Sequence, residues 1–286
     1  LLKKFSAELE EEKASAIFAK DTEEFIASLP VSKSKYDSRQ RPILIGGAMN
    51  SEIGVLVRAL KNPVIYKQLN YIYIAGTYKD YPVVISRTEE FQTNAAATTA
   101  LALVNFNPVA VINQGTSGGY ISTLKPGDII IGERSINTSA IKTEYRAKGA
   151  GIDFTQQLLL GDRVYNKDAD KFEFCKEMTA DSTLLKLAEN ISDFNVVKGT
   201  IGTADGWNNQ IDYINFLNEK YGVVCEEMET NAVANICYNS GVPFIGIRVI
   251  SNNITNDSTF QPQSAEVAQN FVLALVEKYI QEVLTK

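Results

Sequence analysis

No histidine occurs anywhere in the 286 residues. That absence removes Ser-His-Asp and Cys-His nucleophile activation, the usual zinc-ligand sets, and histidine as a general acid or base. Any chemistry must then be carried by carboxylates, amides and backbone groups. Cysteine is nearly as scarce. Cys175, Cys225 and Cys237 are an odd number without metal-like spacing, which reads as buried free thiols rather than a disulfide framework or a metal site. No apolar run approaches the ~20 residues of a transmembrane helix, and no signal-peptide pattern opens the chain as given. A cytoplasmic protein is expected, with an exported form left open because the chain begins Leu1-Leu2-Lys3-Lys4 without a methionine.

Positive charge is also in deficit. A net charge of −6 and a pI near 5.0 argue against nucleic acid or an anionic membrane as partner, since both call for a basic face. A small molecule is the better expectation. What is present is ordinary for a folded globular chain: 45% hydrophobic and 22% charged residues, enough to build a sizeable core.

Residues 1–40 mix charges with scattered apolar positions and read as one or two surface helices ending near Pro30, then a polar linker: an appended arm. From residue 41 to 286 the texture is that of one α/β domain. "RPILIGG", "PVAVINQG", "GDIIIGE", "VVKGTIGTAD", "GVVCEE" and "VPFIGIRVIS" read as strands, and "YIYIAGTYKDYPVVIS" as two strands about a polar turn. Between them "NSEIGVLVRALKN", "TNAAATTALALVNF", "NQIDYINFLNEKY" and "METNAVANICYNSG" read as helices, and residues 264–284 as a last helix. Val/Ile-rich strands alternating with helices imply a three-layer αβα sandwich about a mixed, largely parallel sheet.

In such sheets ligands bind beyond the carboxyl ends of the strands, so the polar strand ends "GGAMNSE", "NQGTSGG", "TADGWNN", "CEEMET" and "RVISNN" belong together. Each has a plain structural explanation. Glu52 stands in a helix first turn, where the macrodipole favours a carboxylate, and one or two of Glu226, Glu227 and Glu229 can be read the same way. "GTSGG" is a tight turn. Asn252 and Asn253 end a strand, and Trp207, the only tryptophan, suits a core or an interface as well as a base-stacking platform.

Their joint order along the chain is specific. "GAMNSE", "VINQGTSGGYISTLKPGDIII", "CEEMETNAVA" and "VPFIGIRVIS" resemble the purine nucleoside phosphorylase and uridine phosphorylase superfamily, and within it the 5′-methylthioadenosine/S-adenosylhomocysteine nucleosidases. The resemblance implies hydrolysis of a purine N-glycosidic bond, with no metal and no organic cofactor, in at least a homodimer. It implies Glu52 as the base that activates water, Met228 and Glu229 as the ribose clamp assisted by Glu227, and Arg248 as a brace for the glutamates. Trp207 would stack on the base and the Asn208 backbone would bond its edge. Gly115, Ser117 and Gly118 would line the floor, and Phe260 a wall near the sugar.

Two departures stand out. The nucleosidases end the last strand in "ISD", whose aspartate protonates N7 of adenine. Here Asn252 can donate a hydrogen bond but not a proton. Three consequences are open: a 6-oxopurine nucleoside as substrate, in a nucleosidase or a phosphorylase; altered activity on adenine nucleosides, with Asp257 or water supplying the proton; or a binding or storage protein without turnover. The second is "RTEEFQT", where a glycine-rich turn is usual. Glu89 and Glu90 would set two acids near the sugar, against phosphate, or mark a changed 5′ substituent.

Overall fold

The structure, a computed structural model, describes residues 2–166 and 168–285, with side-chain surroundings described from residue 13. In chain order it runs α1 (Leu2–Ser28), β1 (Ile43–Gly47), α2 (Asn50–Ala59), β2 (Lys61–Gln68), β3 (Tyr71–Tyr78), β4 (Tyr81–Arg87), α3 (Gln92–Phe106), β5 (Ala110–Gly119) and β6 (Ile129–Asn137). Five short strands follow: β7 (Ile141–Lys142), β8 (Leu158–Leu159), β9 (Asp162–Asn166), β10 (Lys171–Cys175) and β11 (Met178–Thr179). The chain then continues through α4 (Ser182–Glu189), β12 (Val196–Thr203), α5 (Ile211–Tyr221), β13 (Val223–Glu227), α6 (Thr230–Ser240), β14 (Phe244–Asn252) and α7 (Ser264–Tyr279).

Period-two alternation sorts strand residues onto two faces. Ile43 and Ile45, Val83 and Ile85, Ala110 and Ile112 pack with α2 and α7 residues such as Leu56 and Phe271. Leu44, Val84 and Val111 pack on the other face with Ala102, Val233 and Cys237 of α3 and α6. The result is a helix–sheet–helix sandwich. Its sheet is parallel at the centre, in the order β4, β1, β5, β14, and antiparallel where β2 and β3 extend one edge. On the other side β14 pairs with β6 as well as β5, and β6, β12, β13 and β5 pair in turn. Those five strands therefore close a circuit. Among the described residues no helix is long and apolar enough to cross a membrane.

Several local expectations are corrected. The helix read through Asn62 stops at Ala59, and Lys61 already begins β2. Pro63 accounts for this, because its ring disfavours α conformation in the residue before it, and Asn62 has φ 51°. The supposed glycine turn "GTSGG" is no turn: β5 continues through it to Gly119, paired with β14 on one side and, at its end, with β13 on the other. The arm begins as a single helix, whose Thr22 accepts from Arg58 Nη1 at 2.9 Å while the Arg58 guanidinium lies 5.2 Å from the Phe18 ring and 5.3 Å from the Phe25 ring. All three thiols are free, but only Cys225 and Cys237 are buried; Cys175 is partly exposed.

Candidate active site

The carboxyl ends of β1, β5, β13 and β14 surround a cavity of about 300 Å³. Its lining includes Glu52, Ser117, Gly118, Trp207, Asn208, Glu227, Met228, Glu229, Asn252 and Phe260. Gly115 and Arg248 stand behind that wall.

Glu52 is buried, although it sits in the first turn of α2. Three donors cradle its carboxylate: the Ala48 amide to Oε2 at 2.9 Å, and the Thr116 amide and hydroxyl to Oε1 at 2.8 and 3.0 Å. A carboxylate so held has one orientation and an edge toward the cavity, the requirement for deprotonating a positioned water. The approach depends on Gly115, since a Cβ there would lie 2.8 Å from Glu52 Oε1 and would run into Arg248 Nη1.

Among the described residues Arg248 is the only buried cation, and it is 1% exposed. Its Nη2 lies 2.5 Å from Glu227 Oε2 and its Nη1 3.6 Å from Glu229 Oε2. It also donates to Thr230 Oγ1, at 3.0 Å from Nε and 2.8 Å from Nη2, and to Asn113 Oδ1. Burial works against its charge, but Glu227, Glu229 and Glu52 outweigh that and hold the guanidinium above its ordinary range. Glu227 is fully engaged. Besides Arg248 it accepts from the Glu229 and Thr230 amides at 2.9 and 2.8 Å and from the Thr203 hydroxyl.

Glu229 is less encumbered, accepting among the described residues the Phe91 amide at 3.1 Å besides its longer contact with Arg248. Burial pushes it up to about 8, against the pull of Arg248 and with the push of Glu227 and Glu52. The Phe91 amide reaches it because Phe91 has φ 75°, an unusual conformation for a bulky residue.

Asn252 ends β14 at the cavity wall. Its Oδ1 lies 3.0 Å from Ser251 Oγ, and its Nδ2 donates to no described residue. Asn253 is structural, its amide tied to Ile121 and Leu124 carbonyls at 2.8 and 2.9 Å. Trp207 and Phe260 face each other at the mouth, ring centroids 5.8 Å apart, 61% and 39% exposed. The Asn208 amide, expected to bond a base edge, donates to Glu226 Oε1 at 3.2 Å. Asp257 is outside this group: it is exposed and borders a shallower hollow beyond Trp207 and Phe260. The two acids of "RTEEF" part company, for Glu90 lines the cavity while Glu89 accepts from Arg87 Nε at 2.7 Å.

Glu226 was read above as a helix N-terminal acid. It lies in β13, within the strand expected for "GVVCEE" and four residues before α6, and turns into the cavity. Burial raises its pKa, while bonds from Tyr120 and the Asn208 amide oppose that. Tyr120, buried beside it, accepts from Asn208 Nδ2 at 3.3 Å and was not singled out in the sequence. Its signal was faint, a lone tyrosine directly after "GTSGG". Cys225, next to Glu226, is pushed up to about 12 by burial, which disqualifies it as a thiolate nucleophile.

The profile of the phosphorylase superfamily matches residues 42–281. The 5′-methylthioadenosine/S-adenosylhomocysteine nucleosidase of Bacillus pumilus (strain SAFR-032) is 31% identical over 248 residues, 82% of this chain and 98% of its own. Among solved structures, that of the same-named enzyme from Neisseria meningitidis, in complex with methylthio-immucillin-A, has a TM-score of 0.68 at 21% identity, covering 84% of this chain and 100% of its own. A futalosine hydrolase mutant of Helicobacter pylori strain 26695 has a TM-score of 0.68 at 19% identity, with 84% and 100% covered. Both structures speak to the fold alone.

Proposed function

The chain belongs to the phosphorylase superfamily, and from that membership and its nucleosidase relatives we infer that it is an N-glycosidase. It hydrolyses the bond between ribose and purine in 5′-methylthioadenosine and S-adenosylhomocysteine, releasing the free base and a ribosyl product. The observation that carries this reading is the three-donor cradle of Glu52, in the same cavity as Glu229.

Cleavage of C1′–N9 sends the bonding electrons to the purine and leaves an oxocarbenium-like sugar. Water attacks C1′ from the opposite face, and Glu52 takes its proton. Glu229 accepts from the ribose hydroxyls, a charge-assisted bond that strengthens as positive charge develops on the ring. Met228 completes the clamp from the same turn. Glu227, its oxygens already occupied, serves the sugar by fixing that turn and Arg248. Trp207 walls the base end, and Phe260, facing it, the side toward the sugar. Asn252 donates to N7 as the base leaves, while the proton that neutralises the purine comes from solvent. The same reading includes a homodimer.

Hydrolysis is favoured over phosphorolysis by charge. Five glutamates line the cavity (Glu52, Glu90, Glu226, Glu227 and Glu229), and no described lysine or arginine does. Phosphate needs cationic or backbone donors. Arg87, at the end of β4, is committed to Glu89 and to Asn50 Oδ1, the latter at 3.1 Å.

Chromatographic detection of free base from 5′-methylthioadenosine, S-adenosylhomocysteine, adenosine and inosine, with and without phosphate, tests the reading. Base released without phosphate is expected; release only in its presence would make the protein a phosphorylase. Asn252→Asp is expected to raise kcat on 5′-methylthioadenosine about tenfold or more, because a protonated carboxylic acid can complete the transfer that an amide cannot. A fall on every substrate would mean that the base itself requires the amide.

A further inference from the structure

Glu226 has no part in the chemistry above, yet it is 9% exposed and faces the cavity. Burying a carboxylate costs free energy unless hydrogen bonds compensate, and the bonds from the Asn208 amide and Tyr120 leave part of its acceptor capacity facing the cavity.

Strand register fixes its place. Gly118 of β5 is the cross-strand partner of Glu226 in β13 and of Asn252 in β14. Residues directly opposite in a sheet share a face, so both side chains rise on the same side of the sheet. Between them stands a residue with no side chain. At strand spacings of ~4.8 Å the two flanking Cα atoms are about 10 Å apart. The Asn252 amide leans inward, with Nδ2 3.5 Å from where a Gly118 Cβ would be. The floor is thus a glycine slot with a donor on one side and an acceptor on the other.

The surrounding hydrogen bonds keep Glu226 an acceptor. Asn208 N donates to its Oε1 at 3.2 Å, and Tyr120 bonds it as well, while the Tyr120 oxygen accepts from Asn208 Nδ2. A carboxylate has about four acceptor positions. Those not used by the wall open onto the cavity.

Resting on the nucleoside reading above, we propose that Glu226 is a base-specificity residue, which accepts a hydrogen bond from an N–H on the six-membered-ring edge of the purine while Asn252 donates to N7 across Gly118. In 5′-methylthioadenosine that N–H belongs to the exocyclic amine. A hypoxanthine base presents the same chemistry through N1–H.

The test compares kcat/KM for four 5′-methylthio nucleosides, carrying adenine, N6,N6-dimethyladenine, unsubstituted purine and hypoxanthine, in the wild type and in Glu226→Val. The wild type is expected to prefer adenine over purine and over the dimethyl analogue by about 100-fold, since a site built to hydrogen-bond a donor rejects analogues lacking it. In Glu226→Val the preference over purine should shrink to less than about tenfold. Equal use of adenine and purine by the wild type would overturn the proposal, whether or not the variant folds. So would a variant slowed on all four by the same factor, which is the mark of a merely structural role. A hypoxanthine preference that the variant loses would keep the acceptor role and overturn the exocyclic amine as its donor. If no nucleoside is hydrolysed, calorimetry with free adenine and purine separates the two readings. Adenine bound at least about tenfold tighter by the wild type alone supports Glu226, and equal affinities overturn it.

Discussion

Glu52→Gln is expected to lower kcat on 5′-methylthioadenosine by about 1,000-fold, the scale of a lost general base, with nucleoside binding still measurable by calorimetry. Glutamine preserves the shape of the side chain but cannot take the proton from water. The cradle adds a second effect. Donors face both carboxylate oxygens, Ala48 N at one and Thr116 N at the other, and an amide has only one oxygen to offer them. One backbone N–H must then confront an NH2 group, at a cost of about 1–3 kcal/mol in stability. Thermal denaturation alongside single-turnover kinetics separates the two effects. A variant that turns over like the wild type would remove Glu52 from the role of base.

Arg248→Met is expected to destabilise the protein by about 3–5 kcal/mol, because removing one partner of a buried ionic group leaves uncompensated charge. For a chain of this size that corresponds to a fall in Tm of about 10 °C. Methionine fills much of the volume, so the loss is chiefly electrostatic: Glu227 keeps its backbone donors but loses its counter-charge at 2.5 Å. Adding Glu227→Gln and Glu229→Gln to Arg248→Met should recover a large part of the loss, since it removes the orphaned charges. A drop in Tm of less than about 3 °C for the single variant would mean that the guanidinium is not what allows these carboxylates to be buried. Lysine is not an adequate substitute, because one ammonium cannot reach Glu227, Thr230 and Asn113 together as the planar fork does.

Much of this arrangement was legible in the sequence, and the reasons are local. Strands such as Ile43–Gly47 and Phe244–Asn252 announce themselves as Val/Ile runs, and α3 as a small-residue helix. Glu52 is visible because an acid closely follows a strand and stands in the first turn of a helix, although that helix is capped by Met49 and not by Asn50 or Ser51. Other features depend on pairing, which no short window contains. "GTSGG" looks like a turn, but strands on both sides of β5 keep it extended. Glu226 falls in the strand expected for "GVVCEE", but only the register of β13 against Gly118 shows that it faces the ligand space. The strand Lys61–Gln68 was hidden behind the apparent continuation of α2, and β7 to β11 are too short and mixed in composition to carry a period.

The acidic lining has a consequence for what the protein ignores. Nucleotides share base and sugar with its substrates and differ by a phosphate at the 5′ position. In a cavity with five glutamates, no described lysine or arginine on its wall and the buried Arg248 guanidinium committed to Glu227 and Glu229, a dianion finds repulsion and no counter-ion. A neutral thioether finds neither penalty. The site thus tells a spent nucleoside from a nucleotide by charge before any atom of the 5′ group has to fit.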